Sequence, residues 1–311
     1  MRGKRIVIIT LVVVALVTVV VLPFLGGSGK SRDLMRTGED RIVVIYLTGA
    51  IQESSGGGFL TGAITPRYVQ KQLEKAENDS AIKGVVLRVE SPGGSIAASQ
   101  EIAALIKRFS KPVVVSMADM AASGGYYIAA PAQGIVAQPG TMTGSIGVIS
   151  TLINIEGLYD LLGIEVETFK SGEHKDMFSR ALTDEERLIM QDISDTAYEQ
   201  FIAEVAEGRG MDVARVRELA TGQLYLGKQA FELGLVDRLG GIEEAIAYLA
   251  ELNGLENPVR YEFAQPSAFS QLFDYGYRVL AAIEKRFLGP ELLLLETLRE
   301  GFPPDIRYQV R

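Results

Sequence analysis

The amino-acid sequence predicts an α/β fold, a parallel β-sheet covered by helices. Three observations carry this expectation. Short β-branched apolar runs bounded by Gly, Pro or Ser recur from residue 41 onward. Amphipathic stretches with helical spacing lie between them. The runs are apolar nearly throughout instead of alternating, as strands are when helices bury both faces.

In chain order, "RIVVIYLTG" at 41–49 is the first strand and residues 66–77 form a helix. "IKGVVLRVE" at 82–90 is the next strand. In "IAASQEIAALIKRF" at 96–109, Ile102, Leu105, Ile106 and Phe109 share one helical face. "PVVVSM" at 112–117 and "GIVAQP" at 134–139 are further strands, and 154–162 is helix-like. Thr183 followed by Glu186 makes a capping box that opens a helix running to about Glu207, closed by "GRGM". Residues 229–252 read as helix, turn and helix. The stretch 260–311 is less regular, and its four leucines at 292–295 suit either a buried helix or a subunit contact. No internal repeat is evident.

The N-terminus is of a different character. "MRGKR" precedes an uncharged run at 6–25, long enough at about 1.5 Å per residue to cross the roughly 30 Å hydrocarbon layer. It exceeds the h-region of a cleaved signal peptide, and no A-x-A-like site follows. One transmembrane helix is therefore expected, with Arg2, Lys4 and Arg5 keeping the N-terminus cytoplasmic and the rest of the chain on the extracytoplasmic side. "GGSGKS" at 26–31 resembles the tail of a phosphate-binding loop, but Phe24 stands where that pattern needs glycine and no sheet strand precedes it. It reads as linker. The expected organisation is anchor 1–26, linker 27–40, a main α/β domain 41–252 and a C-terminal extension 253–311 for packing or oligomer contact.

Composition removes several chemistries. The chain has 311 residues, no cysteine, one histidine and a formal charge of −8. Thiol catalysis, Cys-ligated metal and histidine-rich metal sites are excluded by count. No basic face argues for nucleic acid.

Three glycine-punctuated loops follow strand-like segments: "ESPGGS" (90–95), "AASGGYY" (121–127) and "TMTGSIGV" (141–148). Ligand sites of open α/β sheets lie at such strand ends. A serine nucleophile needs a base, and its tetrahedral intermediate needs N–H donors. Ser123 stands at a strand-to-helix turn, with Gly124 as a natural donor and Gly94 as a second. "KSGEHKD" supplies two candidate bases, His174 and Lys175. A lysine ordinarily titrates near 10.4, though burial can bring one down to about 7–8. The residues alone leave both open.

Taken together, "SPGG", "MAASGGYY", "TGSIGV", "KSGEHKD" and "GLVD" resemble the SppA-type signal peptide peptidases over about residues 41–250. These are membrane-anchored serine proteases on the Clp/crotonase fold, a spiral of parallel strands covered by helices. The resemblance implies Ser123 as nucleophile, Lys175 as general base, Ser145 as the residue orienting the lysine, and Gly94 and Gly124 as oxyanion donors. It leaves His174 without a catalytic role. Each motif occurs once, which matches the short, single-module form. The implied function is an endopeptidase that degrades cleaved signal peptides and similar apolar peptides, with no cofactor, metal or ATP. The implied partners are peptide substrates, membrane lipid through the anchor, and further copies in a cyclic homo-oligomer. A crotonase-like acyl-CoA hydrolase or isomerase and a non-enzymatic membrane scaffold are the competing readings.

Overall fold

The computed structural model describes residues 39–54 and 62–263. The predicted anchor, the "GGSGKS" linker and the leucines at 292–295 lie outside the described residues. The strands are β1 (Arg41–Thr48), β2 (Ala50–Ile51), β3 (Ala63–Ile64), β4 (Ile82–Ser91), β5 (Val113–Ala122), β6 (Gly134–Ala137), β7 (Met142–Gly144), β8 (Leu224–Leu226), β9 (Arg238–Leu239) and β10 (Val259–Glu262). The helices are α1 (Pro66–Asn78), α2 (Ile96–Arg108), α3 (Gly124–Ala129), α4 (Glu156–Leu162), α5 (Asp184–Arg209), α6 (Val213–Leu219), α7 (Gly227–Glu232) and α8 (Ile242–Leu252).

The main sheet runs β10-β1-β4-β5-β6-β9 with parallel pairing, and β2 pairs β3 in a small separate ladder. Alternation along the strands divides the side chains between two layers. Ile42, Val44, Val86, Val114 and Val136 face α8 through Ala245, Ile246 and Leu249. Val43, Ile45, Val85, Leu87, Val113 and Val115 belong to the larger core, where α1, α2 and α5 bury Leu73, Ile102 and Phe201. Burial on both faces explains why these strands read as unbroken apolar runs. The capping box at the start of α5 is present, with Thr183 Oγ1 accepting from the Glu186 N–H and Glu186 Oε2 accepting from the Thr183 N–H.

Two features depart from the expected all-parallel sheet. β8 lies antiparallel to β7, so the sheet is mixed. β5 also runs further than the sequence suggested, to Ala122, because it changes partner midway. Its first half pairs β6 through Val114–Ser116, and its end pairs β7 through Met120–Ala122. The sheet therefore divides beyond Ser116, and the last residues of β5 come to lie between β4 and β7, with Ala121 beside both Ser91 and Thr143.

The chain leaves β5 through a sharp turn at Ser123, the N-cap of α3, with φ 52° and ψ −122°. A β-carbon is poorly tolerated there, and such residues persist only where the surroundings over-determine them. Here the Ser123 N–H donates to Gly144 O at 2.8 Å, while its carbonyl accepts from the Tyr126 and Tyr127 N–H groups, each at 2.9 Å. Every residue of α3 is buried, and the Tyr126 hydroxyl donates to Leu235 O at 2.9 Å. Tertiary contacts hold this short helix, and the helix holds the turn. The strained conformation is worth about 1–3 kcal/mol, less the roughly 0.5–1 kcal/mol that glycine loses in the unfolded chain. Ser123→Gly is therefore expected to be about 1 kcal/mol more stable than Ser123→Ala. Urea unfolding midpoints at unchanged m-value measure the difference; an alanine variant as stable as the glycine variant would mean the strain does not exceed glycine's entropic cost, and a more stable alanine variant would mean the turn carries none.

Candidate active site

The three glycine loops converge. Ser91 ends β4, Ala122 ends β5 and Gly144 ends β7, and these strands are successive neighbours in the sheet. Hydroxyls tie the ends together. Thr143 Oγ1 donates to Ala121 O at 2.7 Å, and buried Ser91 Oγ accepts from the Gly93 N–H at 3.1 Å. The Gly93–Ser95 turn is in turn pinned to β2: the Ile51 N–H donates to Gly93 O at 2.9 Å and the Ser95 N–H to Ile51 O at 2.8 Å.

This pinning brings two backbones closer than any side chain permits. A β-carbon on Gly94, at φ +154°, would stand 2.0 Å from Ile51 O. One on Gly93, at φ +101°, would stand 2.7 Å from the Gly124 nitrogen, and one on Gly124 would stand 3.2 Å from the Gly94 nitrogen. The Gly94 and Gly124 N–H groups thus lie side by side next to Ser123. Gly124 is the first residue of α3, where a helix leaves its N–H groups without an internal acceptor. Among the described residues neither the Gly94 nor the Gly124 N–H has an acceptor. Two adjacent donors without acceptors beside a serine hydroxyl are an arrangement that can receive a developing oxyanion.

Ser123, Gly94 and Gly124 border one cavity of about 90 Å³. Its apolar lining comes from Ile96 at the start of α2, Tyr127 on α3, Val148 and Ile149 after β7, and Ala197 and Phe201 on α5. The Tyr127 and Phe201 rings pack at 5.0 Å between centroids. A larger groove of about 350 Å³ opens between α2 and α5, where Lys107 bonds Glu204 Oε2 and Glu207 Oε2 and, among the described residues, Glu204 Oε1 has no hydrogen-bond partner; it holds no serine hydroxyl. Tyr127 borders both spaces; burial, and then the Glu204 carboxylate, raise its phenol above the ordinary range. The cavity residues escaped the sequence reading. Their one signal was spacing: Ala197 and Phe201 stand four apart and Ile96 and Ser99 three apart, so each pair shares a helix face.

The structure does not bring every predicted residue to this cavity. Ser145 does not line it; it follows Gly144, the acceptor of the Ser123 N–H, has φ 49°, and its own N–H donates to Gln223 O at 2.8 Å. Lys175 does not line the cavity. It is exposed, in a series of turns between residues 170 and 180. His174, beside it, places Nδ1 3.3 Å from Glu186 Oε1. Around them, Arg180 bridges Asp176 and Glu186, and Lys170 Nζ donates to Asp176 Oδ1 at 2.8 Å. The Arg180 guanidinium, and then Lys170, hold the Asp176 carboxyl down at about 2. Arg180 and the Thr183 N–H hold Glu186 well below the usual carboxylate range.

Comparison with known proteins identifies the family. Residues 106–256 match Peptidase family S49 and residues 59–141 match the Clp protease family. A protein of Enterococcus faecium named for the signal peptide peptidase SppA is 38% identical over 77% of this chain and 72% of its own length. A protein of Synechocystis named as a protease is 43% identical over 63% of this chain and 73% of its own. The chloroplastic serine protease SPPA of Arabidopsis thaliana is 35% identical over 68% of this chain and 32% of its own. With an α/β fold and a serine at the divided end of its mixed sheet, the chain belongs to peptidase family S49 and is a serine protease.

Proposed function

We propose that this protease is a membrane-anchored endopeptidase in which Ser123 and Lys175 form the catalytic dyad and apolar peptides, including cleaved signal peptides, are the substrates. The observation that carries the reading is Ser123 on its strained turn beside the unoccupied Gly94 and Gly124 N–H groups, at the mouth of an apolar cavity. Ser123 Oγ attacks the peptide carbonyl as its proton passes to the neutral Lys175 amine. The carbonyl oxygen becomes an oxyanion held by the two glycine N–H groups. The C–N bond then breaks as Lys175 returns the proton to the leaving amine, leaving an acyl ester on Ser123; water, deprotonated by the same lysine, attacks it, and the acid is released as the Oγ–C bond breaks and the proton returns to Ser123 Oγ. Every proton and electron pair is handled by the chain and water, so no metal or nucleotide enters. A cavity of about 90 Å³ with Tyr127 and Phe201 in its wall suits an aliphatic side chain better than a large aromatic one. Ser145, one residue from the Ser123 anchor point, is assigned the orientation of the lysine.

Assembly supplies what one copy lacks. Lys175 stands apart from the cavity, and the segment leading to it is apolar yet uncovered: Ile149 and Phe169 are each 88% exposed, and α4 buries none of its residues. A monomer rarely leaves so much contiguous apolar surface in water. A second copy of this chain is its occupant in this reading, and a cyclic homo-oligomer sets the Lys175 of one subunit beside the Ser123 of the next. The uncharged run at 6–25 serves as the anchor; it confines the copies to one plane and raises their effective concentration. The catalytic domain then lies on the extracytoplasmic side of the cell membrane.

Ser123→Ala and Lys175→Ala are each expected to abolish hydrolysis of a fluorogenic peptide ending in leucine, while His174→Ala keeps most of it. Because the amine must be neutral to take the proton, kcat/KM should climb toward alkaline pH. A profile already flat near neutrality, with an inactive His174→Ala protein, would transfer the role to histidine. Ser145→Ala should lower kcat and leave KM nearly unchanged; an unaltered kcat would make Ser145 a turn residue only. Mixing the inactive Ser123→Ala and Lys175→Ala chains under conditions of subunit exchange should restore part of the activity, through sites that pair an intact serine with an intact lysine. A dead mixture with exchange confirmed by labelled subunits would place both residues of each site in one chain.

A further inference from the structure

The turns that carry Lys175 have little apolar support; beyond the lysine the Ser179 N–H donates to Asp176 O at 2.9 Å, but the backbone bonds around the lysine itself are weak. The Lys175 N–H reaches Gly172 O at 3.4 Å and the Met177 N–H reaches His174 O at 3.3 Å, both long for a hydrogen bond. Phe178 is exposed. What fixes this segment is charge. Arg180 uses Nε and Nη2 on Asp176, at 3.0 and 2.9 Å, and Nη1 and Nη2 on Glu186, both at 2.8 Å. Its guanidinium is a fork closed on two carboxylates at once, a geometry a lysine cannot reproduce. Glu186 is the anchored end. Its side chain is 1% exposed and it sits at the third position of α5, locked by the reciprocal bonds with Thr183. Asp176, the other end, directly follows Lys175 in the chain.

We infer that Arg180 and Glu186 are positioning residues of the peptidase: by clamping Asp176 to the first turn of α5, they set where the Lys175 amine stands and keep the neighbouring carboxylates engaged elsewhere. This rests on Lys175 being the base, and applies whichever subunit provides the serine. α5 is the frame of the device. It fastens the lysine turn at Glu186 and, about 16 Å further along at 1.5 Å per residue, contributes Ala197 to the cavity wall. The second effect is electrostatic. The charged groups of these turns and of the facing helix start are Lys170, Glu173, His174, Asp176, Arg180, Asp184, Glu185 and Glu186. Asp176 and Glu186 are both taken by Arg180, with Lys170 also on Asp176, and Lys175 has no ion-pair partner among the described residues. A free carboxylate close to Lys175 would favour its charged form, which cannot act as a base.

The test uses the full chain and the same leucine peptide. Displacing a catalytic group by about 1 Å costs on the order of a hundredfold in rate. Arg180→Ala is therefore expected to lower kcat about that much with KM within about twofold, and to move the alkaline rise of the rate to higher pH, because two carboxylates lose their cation. Arg180→Lys, which keeps charge but not the fork, should fall between, and added ethylguanidinium should restore part of the Arg180→Ala rate. Glu186→Gln, close to isosteric, should lower kcat in the same way and serves if Arg180→Ala does not fold. Unchanged kcat in a folded Arg180→Ala or Glu186→Gln protein, alongside an inactive Lys175→Ala, overturns the clamp and leaves the dyad standing. Losses that track melting temperature, with no shift in the pH profile and no guanidinium rescue, also overturn it. An active Lys175→Ala protein would instead remove the base assignment on which the clamp depends.

Discussion

Close approach of backbones at the divided end of the sheet is the constraint on which the site depends. β5 gives up β6 after Ser116 and takes β7 by Met120, so the segment before Ser123 is gripped from both sides where the sheet would otherwise end. The grip is atomic in scale. A β-carbon would fall 2.0 Å from Ile51 O at Gly94, 2.7 Å from Gly124 N at Gly93 and 2.6 Å from Ser99 Oγ at Gly124. Atoms at those distances overlap, so a methyl group at any of these positions would push β2, the β4 loop and α3 apart and separate the two N–H donors. The small residues around Ser123 are therefore required by the packing, and in the proposed function they also leave passage for an extended peptide.

The larger elements were legible because each satisfies its local preference and its tertiary place together. β1, β4 and the start of β5 are β-branched and buried on both faces; α2 shows its apolar stripe, and α5 announces itself with Thr183 and Glu186. What escaped the sequence was short or borrowed. β7, β8 and β9 have two or three residues each, too few for any period to show, and they exist because neighbouring strand edges offer hydrogen bonds. β10 pairs with the edge of β1 from a stretch read as C-terminal extension. Of the site, Ser123, Gly94 and Gly124 were visible because turn chemistry and nucleophile chemistry coincide in small residues. The cavity wall was not visible, since Ile96, Ala197 and Phe201 are ordinary core-type residues whose meaning depends on what stands opposite them.

The segment after β7 shows the opposite case, in which sequence and structure agree on an element and disagree on its surroundings. Residues 154–162 were read as helix-like, and α4 forms there with Gly163 in the left-handed conformation that closes it. Apolar periodicity says that a helix has something to bury; it does not say whether the partner is in the same chain. Ile153, Leu158, Leu161 and Phe169 carry core-type side chains and remain exposed. Nothing among the described residues covers them, and the uncovered run ends at the turns that carry Lys175.

The two halves of the proposed dyad are consequently held by different physics. Ser123 is fixed by packing and by backbone hydrogen bonds inside a buried frame, where salt has little access. Lys175 is fixed by an ionic clamp, with Asp176 and Arg180 partly exposed and only Glu186 fully buried. Exposed ion pairs are individually weak and are screened by salt, but a bidentate fork anchored on a buried, helix-locked carboxylate is the geometry in which such pairs hold best. This division fits the chemistry proposed for each half. The oxyanion donors and nucleophile must not move as charge develops, whereas the base must reach its serine, move a proton twice and, in a site shared between copies, arrive with the neighbouring subunit. A core-packed lysine would be tied to its own fold; one presented on a charged clamp at the surface can be rigid within its chain and still meet a serine it does not share a core with.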